Sequence, residues 1–479
     1  MALGVPVGQQ RRPRLPLHVD EPGRDHAAAR VDLAPRTLAG EIADKRDPVA
    51  LHADIRASRE LSRTVDHLAA ANDEVVSVRC RGAAGGNEAG GGECQGNTSK
   101  GHHRGNYNRW IISRSNTVSV FLHPAARTRG LFTAADYGQM RAFFAARPHL
   151  SKSPLTSLPE LARRSDVVSI AAKDETARFG LNAFKLLGAR FAIETLIADG
   201  AVKTGDTLVC ASEGNHGRAV ARAARDAGCA ARVYLAHDVA LARVHAIAGE
   251  GADVVRVDGS YDDAVRVLQR DAATNGWTII SDTSWPGYER VPFLIMLGYT
   301  RMLDEIRDQG AGSGEQGFTH LFVQGGVGGL LGAMASWCAF HDPSIKVIGV
   351  EPTTAACLQA SARAGKATAV EGPLQTTMGG LRNREVSPMA FESLLPNVDA
   401  FMAIDDTWTF EAMRELNRAG IRSGASGGAA LGGLLALCRE QSLREAREWL
   451  GLGAGARVVS IASEGVTDPA LWSQVVEET

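Results

Sequence analysis

The stretch THLFVQGGVGGLLGAMASW, Thr319 to Trp337, decides the fold. Leu321, Phe322 and Val323 make a short apolar run that reads as a strand, Gly325, Gly326, Gly328 and Gly329 follow as a turn, and a helix then begins. A buried strand that passes through a glycine turn into a helix is half of a parallel βαβ unit. The same alternation recurs on both sides of it. VVSIAAKDE (167–175), DTLVCASEGNHG (206–217), ARVYLAH (231–237), DVVRVDG (253–259), TIISDT (278–283) and KVIGVEP (346–352) each start as an apolar strand. RAVARAARDAG reads as a helix closed by Gly228, and ALARVHAIAGEGA as another. Continuous apolar strands separated by helices imply parallel sheets covered on both faces, in which ligands gather at the carboxyl ends of the strands. The glycine-rich turns fall there.

Three turns carry chemistry. In the first, 325–329, successive glycines let backbone N–H groups converge on an anion, and the following helix adds its positive end. No lysine follows in the G-x-x-x-x-G-K-[ST] manner, which argues against a nucleoside-triphosphate loop. The order is not G-x-G-x-x-G either, and no acidic ribose ligand follows at the usual distance. A phosphate monoester suits the turn better; tight strand–helix packing through glycine is the alternative for this turn alone. The second is ASEGNHGRA, Ala211 to Ala219, where Asn215 lies between Gly214 and Gly217 with Glu213 and His216 as titratable neighbours. Asn and Gly are ordinary turn formers, so this signal is weak by itself. The third is RFGLNAFKLLGARFA, Arg178 to Ala192, which surrounds Lys185 with Phe179, Leu181, Phe184, Leu186, Leu187 and Phe191 on nearly every side of a helix. An ammonium buried in this way costs stability unless its head reaches water or its charge is removed.

Taken together, a buried lysine, an asparagine turn and a glycine phosphate cup are the three parts needed to hold pyridoxal 5'-phosphate. A Schiff base between the lysine and the cofactor's aldehyde removes the charge that makes burial costly. The order Lys, G-N-H-G, G-G-x-G-G resembles the fold type II (tryptophan synthase β-like) pyridoxal-phosphate enzymes. More closely, KDETARFGLNAFKLLGARFAI, GNHGRAVA, DTSWPGY, VQGGVGG and SIASEGVTD resemble the diaminopropionate ammonia-lyases, over roughly residues 118–479.

The resemblance implies an α/β fold of two parallel-sheet domains with the cofactor in the cleft between them. It implies that Lys185 carries the Schiff base and acts as acid/base for one stereoisomer, that Asn215 holds the cofactor's 3'-oxygen, and that Gly326, Val327, Gly328 and Gly329 bind its phosphate. Ser463, in IASEG, would set a neutral hydroxyl against the pyridine nitrogen, which favours elimination over transamination. Asp282, in D-T-x-W, would be a second acid/base group. The family pattern T-D-G-N-H-G has Glu213 here, a carboxylate one methylene longer, so the handling of both stereoisomers stays open. The implied reaction is α,β-elimination of 2,3-diaminopropionate to pyruvate and ammonia. Asp282 and Glu213 would welcome a β-ammonium group more than a hydroxyl. A serine/threonine dehydratase, another β-eliminating or β-replacing enzyme, and a catalytically silent homologue acting as a binding subunit are the alternatives.

Composition limits the remaining classes. The chain has 479 residues, 44% hydrophobic and 22% charged, with a formal net charge of −2. This balance gives no reason to expect nucleic acid or a membrane surface as partner. No apolar run approaches the roughly 18 residues of a membrane span. The seven cysteines are scattered without C-x-x-C spacing and read as reduced thiols of a cytoplasmic protein, with no metal site. The expected partners are a small-molecule amino acid substrate and, by family analogy, a second copy in a homodimer.

Residues 1–105 lack Phe and Tyr, and nine of the 25 residues in 81–105 are glycine, so they read as a low-complexity, disordered extension. A helix within 47–71 is the exception, and the His102–His103 pair reads as loop composition. Residues 106–479 read as the catalytic unit, with a smaller α/β subdomain at about 186–300 inserted in the larger one. LALCREQSLREAREWL reads as one late helix with a solvated face.

Overall fold

A computed structural model describes the strands at 76–79 and 109–114, and then residues 117–127, 130–212, 214–310 and 317–477. The helix expected within 47–71 and the histidine pair lie outside these residues. So does the rest of the extension 1–105, apart from one strand of alternating β-branched and polar residues at Val76–Arg79.

In chain order the strands are β1 (Val76–Arg79), β2 (Arg109–Arg114), β3 (Val118–Leu122), β4 (Leu155–Ser157) and β5 (Ser169–Asp174), then β6 (Thr207–Ala211), β7 (Ala230–Ala236), β8 (Asp253–Val257) and β9 (Thr278–Ile279), and finally β10 (His320–Gln324), β11 (Lys346–Pro352), β12 (Ala400–Ile404) and β13 (Arg457–Ala462). They form a nine-stranded sheet, β1-β2-β3-β12-β11-β10-β13-β5-β4, and a four-stranded sheet, β8-β7-β6-β9. The four-stranded sheet is wholly parallel. In the larger sheet the five central strands are parallel, while β3 and β4 pair antiparallel to it at the two sides. The apolar, unalternating strands are the parallel ones, as expected for strands covered on both faces. All five residues of β10 and of β12 are buried. Each fully buried aliphatic side chain contributes roughly 1.5–3 kcal/mol.

Six helices carry or brace the site: α1 (Leu186–Ala198), α2 (Asn215–Asp226), α3 (Arg290–Tyr299), α4 (Arg301–Asp308), α5 (Gly329–His341) and α6 (Ala425–Arg439). Helices α1 and α3 cross at two glycines. A Cβ on Gly188 would lie 2.5 Å from a Tyr299 ring carbon, and one on Gly298 would lie 2.8 Å from the Leu187 carbonyl oxygen. This contact sets the start of α1 against Tyr299.

Two expectations about helices are corrected. Lys185 is not inside a helix; it is the N-cap of α1, and Arg178–Gly180 before it forms a separate 3-10 turn with Phe179 at φ +53°. The apolar residues around Lys185 therefore come from two differently directed segments, a pattern that helical spacing cannot represent. The late helix is also broken. α6 ends at Arg439, Glu440 is extended, and a second helix begins at Arg444 after a short 3-10 turn. Three polar residues, Glu440 to Ser442, interrupt the apolar face at that point.

Below the Lys185 turn lies a buried ionic cluster. Arg178 is bonded to Glu305 at 2.6 Å and to Glu175 at 2.8 Å, and Lys173 reaches Glu305 at 2.8 Å. Lys173, Glu175 and Glu305 have no exposed side-chain surface. Arg301 also reaches Glu305 at 3.1 Å, and Ser153 donates its hydroxyl to Glu175 and accepts from Lys173 through its carbonyl. Burial works to protonate Glu305, but Arg178 and Lys173 outweigh it and hold its pKa below the ordinary glutamate value. Because the folded value is depressed, Glu305 contributes stability at neutral pH that is lost as pH falls through that value. Denaturant unfolding between pH 7 and 3 should show this loss, with a shallower slope for Glu305→Gln.

Candidate active site

The carboxyl ends of β5, β13 and β10 lie side by side, because Ala462 pairs with Asp174 and His320 with Val458. The chemistry gathers beyond those ends. Lys185 Nζ donates to Asp282 Oδ2 at 2.6 Å, with 24% and 20% of the two side chains exposed. The ammonium also sits 5.2 Å from the Phe184 ring centroid and 5.6 Å from that of Tyr299. Burial pulls Lys185 towards neutrality, but Asp282 and Tyr299 outweigh it and keep the amine more basic than an ordinary lysine. Burial likewise opposes ionisation of Asp282, yet His216 in its protonated form and Lys185 hold it well below the usual carboxylate range. The cost of burying the lysine is thus offset here by a carboxylate.

Asp282 sits in the loop between β9 and α3, and Tyr288 braces that loop. Its hydroxyl accepts from Ser281 N at 2.9 Å and donates to Ile279 O at 2.8 Å, while its ring stacks on Trp285 at 4.0 Å. Tyr288, with Trp285 stacked on it, therefore acts through the backbone of the Asp282 loop. Asn215 is the first residue of α2, and its amide donates to Glu464 Oε2 at 2.5 Å. His216 is buried beside it, with Nε2 bonded to Ile280 O at 2.9 Å. Glu213 lies outside the described residues.

The glycine turn joins β10 to α5. Gly328 caps α5 at φ +93°, a conformation that disfavours a side chain. A Cβ on Gly326 would stand 2.4 Å from Asn383 Nδ2, and one on Gly329 would lie 3.7 Å from Asp282 O. The turn is thus closely approached by Asn383, which leaves room only for glycine at 326, and is a neighbour of Asp282. Val327 is fixed by Ser387 N donating to its carbonyl at 2.8 Å. We expect Gly328→Ala to fold but to strain this turn by about 1–3 kcal/mol. Titration of the purified apoprotein with cofactor should then show affinity reduced roughly tenfold.

Ser463 follows β13 and is buried. Its Oγ accepts from Gln324 Nε2, and its carbonyl accepts from Phe184 N at 3.4 Å, which ties it to the residue before Lys185. The structure therefore brings together Lys185, Asp282, Asn215, Ser463 and residues 326–329.

Sequence reasoning missed Glu464, Gln324 and Tyr299. Burial pushes the Glu464 pKa up, partly offset by hydrogen bonds from Ser426 and Asn215. An acid next to Ser463 at the end of an apolar strand was the available signal. Ser426 and Ser423 are engaged within the protein: Ser426 Oγ accepts from Gly380 N at 3.0 Å, and Ser423 Oγ donates to Gly424 O at 3.0 Å.

A lysine aimed across a cleft, an asparagine at a helix start and a glycine cradle at another helix start fit pyridoxal phosphate. Tyr299, which raises the basicity of Lys185, and His216 Nδ1, 3.7 Å from Asp282 Oδ2, add polar groups around that pair. These parts define a pyridoxal-phosphate-dependent α/β enzyme, and the family model for "Pyridoxal-phosphate dependent enzyme" matches residues 146–463.

The diaminopropionate ammonia-lyase of Escherichia coli K12 is 34% identical over 375 residues, covering 73% of this chain and 94% of that protein. The enzyme of the same name from Salmonella typhimurium is 34% identical over 367 residues, covering 71% and 91%. The crystal structure of the Escherichia coli lyase in complex with an aminoacrylate–PLP azomethine reaction intermediate superposes with a TM-score of 0.69 at 32% identity, covering 76% of this chain and 98% of that one. The chain belongs to the diaminopropionate ammonia-lyase family. No described helix is long and apolar enough to cross a membrane.

Proposed function

We propose that the protein catalyses α,β-elimination of 2,3-diaminopropionate to pyruvate and ammonia. The observation that carries this reading is the 2.6 Å contact between Lys185 Nζ and Asp282 Oδ2, which supplies two acid/base groups in one buried site. Pyridoxal phosphate, when bound, supplies an electron sink that acidifies the substrate's Cα proton. Lys185 Nζ would hold the cofactor through its aldehyde carbon and take the Cα proton of the L-isomer. Asp282, with Glu213 as a second carboxylate, takes that of the D-isomer and attracts the β-ammonium group.

Asn215 would donate to the 3'-oxygen, and the amides of Gly326, Val327, Gly328 and Gly329 would hold the phosphate at the α5 N-terminus. Ser463 already accepts from Gln324, so its own hydroxyl proton is left to donate to the pyridine nitrogen. A neutral donor there does not enforce ring protonation, which suits elimination.

The placement of β6–β9 between β5 and β10 in chain order supports a smaller subdomain at about 186–300 inserted in a catalytic unit of 106–479. We read the protein as a cytoplasmic homodimer, which sedimentation of the purified chain and localisation of a tagged copy would test.

The test of function is a panel of D- and L-diaminopropionate, serine and threonine, following pyruvate or ketobutyrate. Diaminopropionate should give the highest kcat/KM. Equal or better turnover of serine or threonine would make the protein a dehydratase, and purified protein without the cofactor's visible absorbance would make it a silent homologue.

A further inference from the structure

We propose that His216 is a positioning residue behind Asp282, holding the proton that Asp282 removes from substrate and giving it back for the leaving group. This rests on the reading of Asp282 as an acid/base group and extends it to a residue with no role so far.

The geometry is specific. The Ile280 carbonyl can only accept, so the 2.9 Å contact requires the proton on Nε2 and leaves Nδ1 with a lone pair. Nδ1 is buried, has no hydrogen-bond partner and lies 3.7 Å from Asp282 Oδ2. A lone pair facing a carboxylate attracts nothing while that carboxylate is ionised and bound to Lys185. It becomes an acceptor once the carboxylate carries a proton, after a closure of less than about 1 Å to hydrogen-bond distance.

The other titratable groups around the pair are Lys185 from α1, Tyr299 from α3, Cys210 from β6 and Tyr288 from the loop after β9. Burial keeps the two tyrosines and the thiol protonated at neutral pH. Burial also lowers the His216 pKa, leaving the ring neutral and able to accept.

When Asp282 takes the Cα proton it becomes a carboxylic acid. Its O–H bond breaks as an Nδ1–H bond forms; Asp282 returns to a carboxylate, and His216 becomes an imidazolium that keeps its Nε2–H bond to Ile280. The reverse transfer returns the proton through Asp282 to the departing β-amino nitrogen. Lys185 is spared this duty in the D-isomer reaction, so the relay matters most there.

The test is His216→Gln in the holoenzyme. The glutamine amide can still donate to Ile280 O, but it offers no basic nitrogen towards Asp282. We expect kcat/KM for D-diaminopropionate to fall at least about tenfold further than for the L-isomer, with unchanged cofactor absorbance. The acid limb of the D-isomer profile, set by His216 becoming protonated as pH falls, should disappear. An unchanged D-to-L ratio and pH profile would make the histidine a structural brace.

Spectra of protein labelled with 15N-histidine give a reading independent of turnover. His216 should be the Nε2–H tautomer at neutral pH, and an Nδ1–H signal overturns the proposal. Asp282→Asn separates the two levels. If it loses D-isomer turnover while His216→Gln behaves as wild type, the relay fails and the function stands; if Asp282→Asn is fully active, both fail.

Discussion

Lys185→Ala should yield a folded protein with no covalently held cofactor and turnover reduced by roughly 10³-fold or more. Lys185 Nζ projects from the N-cap of α1, which the Gly188–Gly298 contact fixes against α3, and its partner Asp282 stands 2.6 Å away. Lys173 cannot substitute, because it is enclosed by Ser153, Glu305 and Gln309 in the cluster beneath. Arginine at position 185 would keep the charge opposite Asp282 but cannot form the covalent bond. Lys185→Arg should therefore match the alanine variant in activity while matching the native protein more closely in stability. Borohydride reduction followed by peptide mapping, with circular dichroism to check folding, gives the measurement. Turnover within tenfold of native in either variant, or labelling of another residue in the native protein, would remove the basis of the proposed reaction.

The second large effect concerns stability. Arg178→Met should cost about 3–5 kcal/mol, because it removes the cation bonded to both Glu175 and Glu305 and leaves the buried Glu175 without its guanidinium partner. The same change should weaken cofactor binding, since Arg178 anchors the turn that runs through Phe179 at φ +53° and Asn182 at φ +57° into Lys185. Replacing Glu305 by Met in the same chain should recover part of the loss. A double-mutant cycle on denaturant unfolding reads that coupling, and simple additivity of the two changes would show that the pair does not act as a unit.

The cluster also explains part of the sequence pattern. KDETARFGLNAFK supplies Lys173, Glu175 and Arg178 to the buried network and Lys185 to the site, so one segment carries both the reactive amine and its foundation. Sequence reading pointed to Lys185, Asn215 and 326–329 because each belongs to a local device (an apolar segment, a helix start or a glycine turn), while Ser463 was named only through the family resemblance. Glu305, Tyr299 and Gln324 were not legible. They lie on α4, on α3 and at the end of β10, where an acid on a helix or a tyrosine in an apolar run has an ordinary local explanation. The break of the late helix at Glu440 was missed for a related reason, since charged residues of good helix propensity can continue a helix or leave it.

By itself the sequence determined the alternation of apolar strands and helices, hence parallel sheets, and the kinds of groups available at the strand ends. Those follow from local periodicity and from the backbone freedom of glycine. Only the tertiary structure decided that Lys185 caps its helix, that Asp282 pairs with it across 97 positions of sequence, and that His216 turns an unused nitrogen towards that carboxylate. Such pairings depend on how sheets and helices stack. Burial removes water from chosen side chains, and the charge or lone pair that remains must find its partner in space.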